Sequence, residues 1–215
     1  YDIPLISGKD SMKNDYKIGD TKISIPPTVL FTAAAVIGDV TRLVSMDAKR
    51  AGDGVYVLGD TLDELGGSEY LNLLGVPGGA APQVNPLSAR KLYERLHLAI
   101  MAGLVASCHD CSDGGLGVAL AETAFSGGLG MDLDLSHIGV DNGAVALFSE
   151  SQSRFVVTVP RGKAAEFEAA MAGSPVHPLG RTTAEPVLRV LCADGGQVEA
   201  DIMELKAAWK KPLAW

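Results

Sequence analysis

Short apolar strands alternate with helices from residue 55 to residue 209, but the alternation is broken. Val55–Leu58, Leu104–Cys108, Met131–Leu135, Arg154–Val159, Val176–Leu179 and Val187–Leu191 read as strands. Leu87–Gly103 places Leu92, Leu96, Ala99 and Ile100 at helical spacing, with basic residues between them, and Gly103 ends it. Glu69–Leu74, Leu116–Phe125, Val140–Phe148, Gly162–Met171 and Asp201–Trp209 read as further helices, and Val76–Pro86 as a loop. Strict alternation would favour a doubly wound parallel sheet. The irregular order instead predicts an α+β fold with a mixed sheet. Within it, Met131–Leu135 sets apolar residues against Asp132 and Asp134 at period two, the mark of a strand with one buried face.

The first forty residues differ. Ile3–Ile6 reads as a strand, Ser7–Lys22 as a polar loop, and Val29–Ile37 as a longer apolar strand approached through Pro26-Pro27. Asp47–Asp53, polar and carrying Gly52, reads as a linker. The chain starts at Tyr1, inside an expected strand and without an initiator Met, which suggests a piece of something longer.

Composition narrows the chemistry. With 47% hydrophobic and 20% charged residues, the chain has the balance of a folded globular protein. Eighteen basic against 26 acidic residues leave a net charge of −8, with no Lys/Arg cluster, which argues against nucleic acid and anionic membrane as partners. An anionic small molecule would have its charge met locally, by backbone N–H groups or a metal. Three cysteines are too few and odd in number for a disulfide framework, so a reducing compartment such as the cytoplasm is expected. No uninterrupted apolar stretch reaches about 18 residues, and no signal-peptide pattern opens the chain. Gly accounts for 25 of the 215 residues, above the usual roughly 7%, and belongs to turns and close backbone approaches.

Four segments could carry chemistry. His109-Asp110-Cys111-Ser112-Asp113-Gly114-Gly115 joins an apolar strand to a helix beginning at Leu116. Helix N-termini attract phosphate and carboxylates repel it, so the combination makes sense around a divalent cation such as Mg²⁺ shared with substrate phosphates. Asp113 as a simple N-cap followed by a glycine turn fits the same residues, and local chemistry leaves both readings open. Ser7-Gly8-Lys9-Asp10-Ser11-Met12 has a phosphate-loop flavour but is no Walker A motif, and by pattern alone a solvated turn is favoured. Gly66-Gly67-Ser68-Glu69 reads as a helix N-terminus, and Phe148-Ser149-Glu150-Ser151-Gln152-Ser153-Arg154 as a loop. Cys108 and Cys111 form a C-x₂-C pair, but His97, His137, His177 and Cys192 stand at no ligand spacing, so thiolate-metal and redox roles are disfavoured.

Taken in order, Ser7–Met12, Gly66–Tyr70, His109–Leu116 and Phe148–Glu150 resemble the phosphoribosylformylglycinamidine synthase family, over essentially the whole chain. Aminoimidazole ribonucleotide (AIR) synthetase, selenophosphate synthetase, thiamine-monophosphate kinase and a hydrogenase maturation factor share the Asp-containing loop. The resemblance implies that residues 1–45 end an AIR-synthetase-like α/β N-terminal domain and that residues 46–215 form an AIR-synthetase-like C-terminal domain. It also implies an ATP-dependent ligase of purine biosynthesis. That enzyme turns formylglycinamide ribonucleotide, ATP and glutamine-derived ammonia into formylglycinamidine ribonucleotide, ADP and phosphate. Residue by residue, Asp110 matches a Mg²⁺ ligand and Ser112 a nucleotide-phosphate contact. Asp113, Gly114 and Gly115 belong to the same nucleotide loop, and Lys9, Asp10 and Ser11 to a loop lining the cleft. Glu69 and Glu150 are motif residues without an assigned role. The implied partners are the rest of the synthase chain and a glutaminase subunit or domain; Cys111 is not the glutaminase nucleophile. No catalytic residue is expected here, and the chain alone is expected to be inactive. Another ATP-using member of the superfamily, or a non-enzymatic scaffold for a glutaminase, are the competing readings.

Overall fold

A computed structural model describes residues 1, 3–8, 15–24 and 29–213. The chain divides into two compact units, Tyr1–Val40 and Thr41–Trp215. In the first, β1 (Asp15–Ile18) and β2 (Thr21–Ser24) form an antiparallel hairpin in register Asp15 to Ser24. Asp15 ties its ends together, accepting the Ser24 hydroxyl at 2.8 Å and pairing with Lys22 at 2.8 Å. This hairpin lies partly in the expected Ser7–Lys22 loop, whose polar residues hid it. The expected strands Ile3–Ile6 and Val29–Ile37 are not strands. A strand exists only through its ladder, and neither segment has a paired neighbour among the described residues; Leu5, Ile6, Leu30 and Val36 are exposed.

The second unit is the α+β fold with a mixed sheet that the broken alternation predicts. Seven strands are β3 (Gly54–Leu58), β4 (Ser107–Asp110), β5 (Gly130–Asp134), β6 (Phe155–Val159), β7 (Val176–Thr183), β8 (Val187–Leu191) and β9 (Gln197–Asp201). Their order is β4-β6-β3-β7-β5-β8-β9, and every pair is antiparallel except β5 with β8. The helices are α1 (Glu69–Leu74), α2 (Pro86–Met101), α3 (Gly115–Gly127), α4 (Gly143–Phe148), α5 (Ala164–Ala170) and α6 (Ile202–Lys210).

The sequence of β3 explains the layering. Val55 and Val57 enter one core with Leu116 and Leu120 of α3, Leu147 of α4 and Ile202 of α6. Tyr56 and Leu58, pointing the other way, enter a second core with Leu92 and Leu96 of α2 and with Phe167 of α5. A strand covered on both faces must be apolar throughout, as Val55–Leu58 is. Strand β5 lies where one face is open. Met131 and Leu133 are buried, while Asp132 faces Arg189 of β8 at 3.4 Å, and Arg189 also holds Glu185 at 2.8 Å.

Two strands depart from expectation. Leu104 and Val105 are buried against α2, and β4 starts only at Ser107 and runs to Asp110. Strand β9 has a polar sequence at the sheet edge, and only its pairing with β8 marks it. No helix among the described residues is long and apolar enough to cross a membrane.

Phe167 is fully buried against Tyr56, ring centroids 5.2 Å apart, so Phe167→Ala should cost about 3–5 kcal/mol in chemical denaturation. A loss under about 1 kcal/mol would show that the second core does not hold α5 on the sheet.

Candidate functional site

Strands β4 and β6 pair so that Asp110 lies opposite Phe155. The residues just after β4 and just before β6 are therefore neighbours, and the Cys111 N–H donates to the Arg154 carbonyl at 3.0 Å. With Leu58 of β3 opposite Phe155 on the other side of β6, these pairings bring together segments far apart in sequence: residues 59–68 before α1, 110–115 between β4 and α3, and 149–154 between α4 and β6.

Arg154 is 1% exposed. Its guanidinium donates to the Thr61 hydroxyl at 2.9 Å, to the Ser151 carbonyl at 3.0 Å and to the Ser149 carbonyl. Burial lowers its pKa, opposed by the nearby Cys111, Glu64 and Glu150. Ser149 and Ser151 complete the join: the Ser149 hydroxyl donates to the Leu62 carbonyl at 2.7 Å, and the Leu62 N–H donates to Ser151 at 3.1 Å. The segment that reads as a loop is thus a densely bonded one.

Glu150 links the other two motifs. One oxygen, Oε1, accepts the Gly114 N–H at 2.8 Å and the Glu69 N–H at 2.9 Å. Ser68 caps α1, as the sequence suggests, by accepting the Leu71 N–H at 3.3 Å. Next to it Tyr70 stacks on Phe148, centroids 4.8 Å apart and planes 5° from parallel. Glu150, to which sequence assigned no role, is the bridge between motifs.

Asp113 is not the cap of α3: Gly114 takes that position, with no side chain to bond, and Asp113 is exposed. The Gly115 N–H donates to the Ser112 carbonyl at 2.9 Å, so both glycine N–H groups are already answered within the protein. Gly115 is required by packing, because a Cβ there would lie 2.3 Å from the Ser149 carbonyl oxygen.

Asp110 ends β4 with its side chain 65% exposed. Its Oδ2 accepts the Ser112 hydroxyl at 2.6 Å, and Oδ1 lies 3.5 Å from His109 Nδ1. The Ser112 hydroxyl, with His109 beside it, holds the carboxyl below the usual carboxylate range. This contact stabilises the fold above the ordinary carboxylate range and is lost as pH falls through the lowered value. Among the described residues no group of three or more His, Cys, Asp or Glu could hold a metal. A single exposed carboxylate nevertheless suits Mg²⁺, which takes one or two carboxylates and fills its shell with phosphate oxygens and water. The candidates Lys9, Asp10 and Ser11 lie outside the described residues. Cys108 and Cys111 are free thiols that burial pushes up to about 12 and about 11.

Two predictions follow from this geometry. Gly115→Ala combines the clash with a φ of +67° and should lower the unfolding midpoint clearly more than Gly67→Ala, whose φ is +77° but whose Cβ meets open space. Roughly 1–2 kcal/mol of backbone strain is common to both. Equal losses would mean that contact with Ser149 is unimportant. Separately, iodoacetamide at pH 8 should leave Cys108 and Cys111 unmodified in the folded chain and alkylate both in denaturant, read by mass spectrometry. Rapid alkylation of the folded chain would show these thiols to be reactive.

Residues 50–193 match the family described as "AIR synthase related protein, C-terminal domain". Phosphoribosylformylglycinamidine synthase subunit PurL of Limosilactobacillus fermentum is 38% identical over 214 residues, spanning 99% of this chain and 27% of that protein. The Deinococcus radiodurans subunit PurL is 35% identical over 217 residues, 98% of this chain and 29% of its own length. The chain therefore spans less than a third of these relatives. In fold it resembles Thermotoga maritima PurL complexed with FGAR, with a TM-score of 0.68 at 23% identity over 77% of this chain and 30% of that one. It also resembles Escherichia coli HypE, a hydrogenase maturation protein, with a TM-score of 0.54 at 21% identity over 74% and 52%. A family match over most of the chain, on a fold with the same kin, places this protein in the AIR-synthase-related family, whose C-terminal domain it carries.

Proposed function

We propose that this chain is a C-terminal part of an ATP-dependent phosphoribosylformylglycinamidine synthase, acting in purine biosynthesis as one portion of a longer polypeptide. Residues 1–45 would end the preceding N-terminal domain of that polypeptide, and residues 46–215 would form the C-terminal domain. The observation that carries the reading is the meeting of three sequence-distant motifs around the single carboxylate of Glu150. The PurL relatives support it, as does the fold shared with PurL structures complexed with FGAR, ATP and ADP.

In the full enzyme, ATP phosphorylates the formamide oxygen of formylglycinamide ribonucleotide, and glutamine-derived ammonia displaces the phosphate to give the amidine. A glutaminase, fused or separate, supplies that ammonia. In this chain Asp110 is assigned as a Mg²⁺ ligand and Ser112 as a hydroxyl donor to a nucleotide phosphate. Asp113, Gly114 and Gly115 form the rest of the nucleotide loop, and Lys9, Asp10 and Ser11 are assigned to nucleotide binding by their motif alone. Because Gly114 and Gly115 have their N–H groups engaged, the glycines shape the loop, and the Ser112 hydroxyl, whose one proton goes to Asp110 in this structure, turns from Asp110 to reach a phosphate. Bound Mg²⁺ would neutralise charge between Asp110 and phosphate oxygens. Before nucleotide binds, Ser112 holds Asp110 in one orientation.

The test uses the full-length reading frame. Asp110→Asn should weaken Mg²⁺-dependent nucleotide binding at one class of site by roughly tenfold or more while the chain stays folded, since the side chain is 65% exposed and an amide oxygen can still accept the Ser112 hydroxyl. Unchanged binding would remove Asp110 from the metal site. The isolated 215-residue chain should form no amidine product from ATP and ammonia; turnover would overturn its assignment as a partial synthase.

A further inference from the structure

Glu122 is a partly buried carboxylate on α3, its side chain 18% exposed, and none of the four sequence motifs includes it. Both of its oxygens are engaged. Oε2 meets His109 Nε2 at 2.6 Å, and Oε1 accepts the Trp209 indole N–H at 2.7 Å. Trp209, on α6, is seated against Phe125 of α3 with ring centroids 5.8 Å apart. The other edge of the His109 ring, Nδ1, stands 3.5 Å from Asp110 Oδ1, and Ser112 bonds the remaining oxygen, Oδ2, at 2.6 Å. A continuous polar path therefore runs from α6 through α3 to the end of β4.

The path has a physical use. A carboxylate at a strand end, mostly exposed, samples several rotamers unless each oxygen has a neighbour. Asp110 has Ser112 on one side and His109 on the other. A histidine ring turns freely about its outer torsion unless a nitrogen is held; its Nε2–H donates to the Glu122 carboxylate, and with the ring doubly protonated the Nδ1–H faces Asp110 as a charged neighbour. Glu122 in turn accepts a hydrogen bond from an indole that its own packing keeps in place. A partner one layer out from a metal ligand, here His109, sets ligand orientation, and losing one typically costs 10–100-fold in metal affinity; Glu122 acts one step further out, so the lower end applies to it.

We infer that Glu122 is a positioning residue for Asp110, acting through His109 and itself held by Trp209. This inference rests on the reading of Asp110 as a Mg²⁺ ligand. Its test measures Mn²⁺–ADP binding to the full-length chain by electron paramagnetic resonance of free Mn²⁺, which needs no turnover. Asp110→Asn first identifies the class of site that belongs to this loop. Glu122→Gln should then weaken the same class about tenfold, and the double variant should bind no more weakly than Asp110→Asn alone. A merely structural role would lower the unfolding midpoint without that coupling. If Glu122→Gln fails to fold, Trp209→Phe removes the indole N–H while keeping a ring against Phe125, and should weaken the same class in the same direction. Parent-like binding by the folded Glu122 or Trp209 variant, with Asp110→Asn weakened, overturns the positioning role alone. Parent-like binding by Asp110→Asn overturns both the role and the metal reading beneath it.

Discussion

The candidate site hangs on a buried cation. Arg154 gives its guanidinium to two carbonyls and a hydroxyl, with no carboxylate of the described residues in direct contact. Burying a charge is costly unless hydrogen bonds replace the lost water, and a planar fork of donors can reach several acceptors in different directions. Here the acceptors lie on two loops, at Thr61 and at Ser149 and Ser151. The cation thus gives loops without regular structure a fixed geometry. Because Ser149 is fixed, Glu150 is fixed beside it. A lysine, a point charge on a flexible stem, could not span the same acceptors.

Glu150 then settles how an anion can be received. A helix start with free N–H groups is a ready phosphate site. At α3 the Gly114 N–H goes to Glu150 and the Gly115 N–H to the Ser112 carbonyl. Glu150 satisfies the Glu69 N–H at the start of α1 as well. An internal carboxylate has taken the place that a ligand phosphate takes in a simple glycine loop. What the loop still offers outward is side-chain chemistry, namely the Ser112 hydroxyl and the carboxylates of Asp110 and Asp113.

Much of the second unit is legible in the sequence because its signals are local. Val55–Leu58 is apolar on both faces and can only be an inner strand, Met131–Leu135 declares its one buried face, and Ser68 before Glu69 announces a helix start. What is hidden is relational. Nothing in Glu150 itself says that its oxygen meets two backbone N–H groups, one 81 residues and the other 36 residues away. Arg154 carried a usable signal, being a charge set directly against the apolar run Phe155-Val156-Val157, where only a fully bonded cation can be buried. Glu122 and Trp209 gave none, since an acid on a helix and an indole near a chain end are ordinary surface residues until packing joins them. The expected strands at Ile3–Ile6 and Val29–Ile37 went wrong for the converse reason: an apolar run gives a propensity, but a ladder needs a partner.

Charge completes the argument. The loops at 59–68, 110–115 and 149–154 carry Asp60, Asp63, Glu64, Asp110, Asp113 and Glu150, and their only basic residue is Arg154. That residue is buried and its donors point at protein oxygens, so it offers nothing to a ligand. A phosphate brought to Ser112 would meet the Asp110 carboxylate bonded to it and Asp113 next in the chain, and like charges repel. The Gly114 and Gly115 N–H groups do not offset this, because Glu150 and the Ser112 carbonyl have already taken them. On the proposed reading, the positive charge comes with the ligand, as a divalent cation. The acidic surplus of the whole chain, a net −8, thus has a local counterpart in these loops.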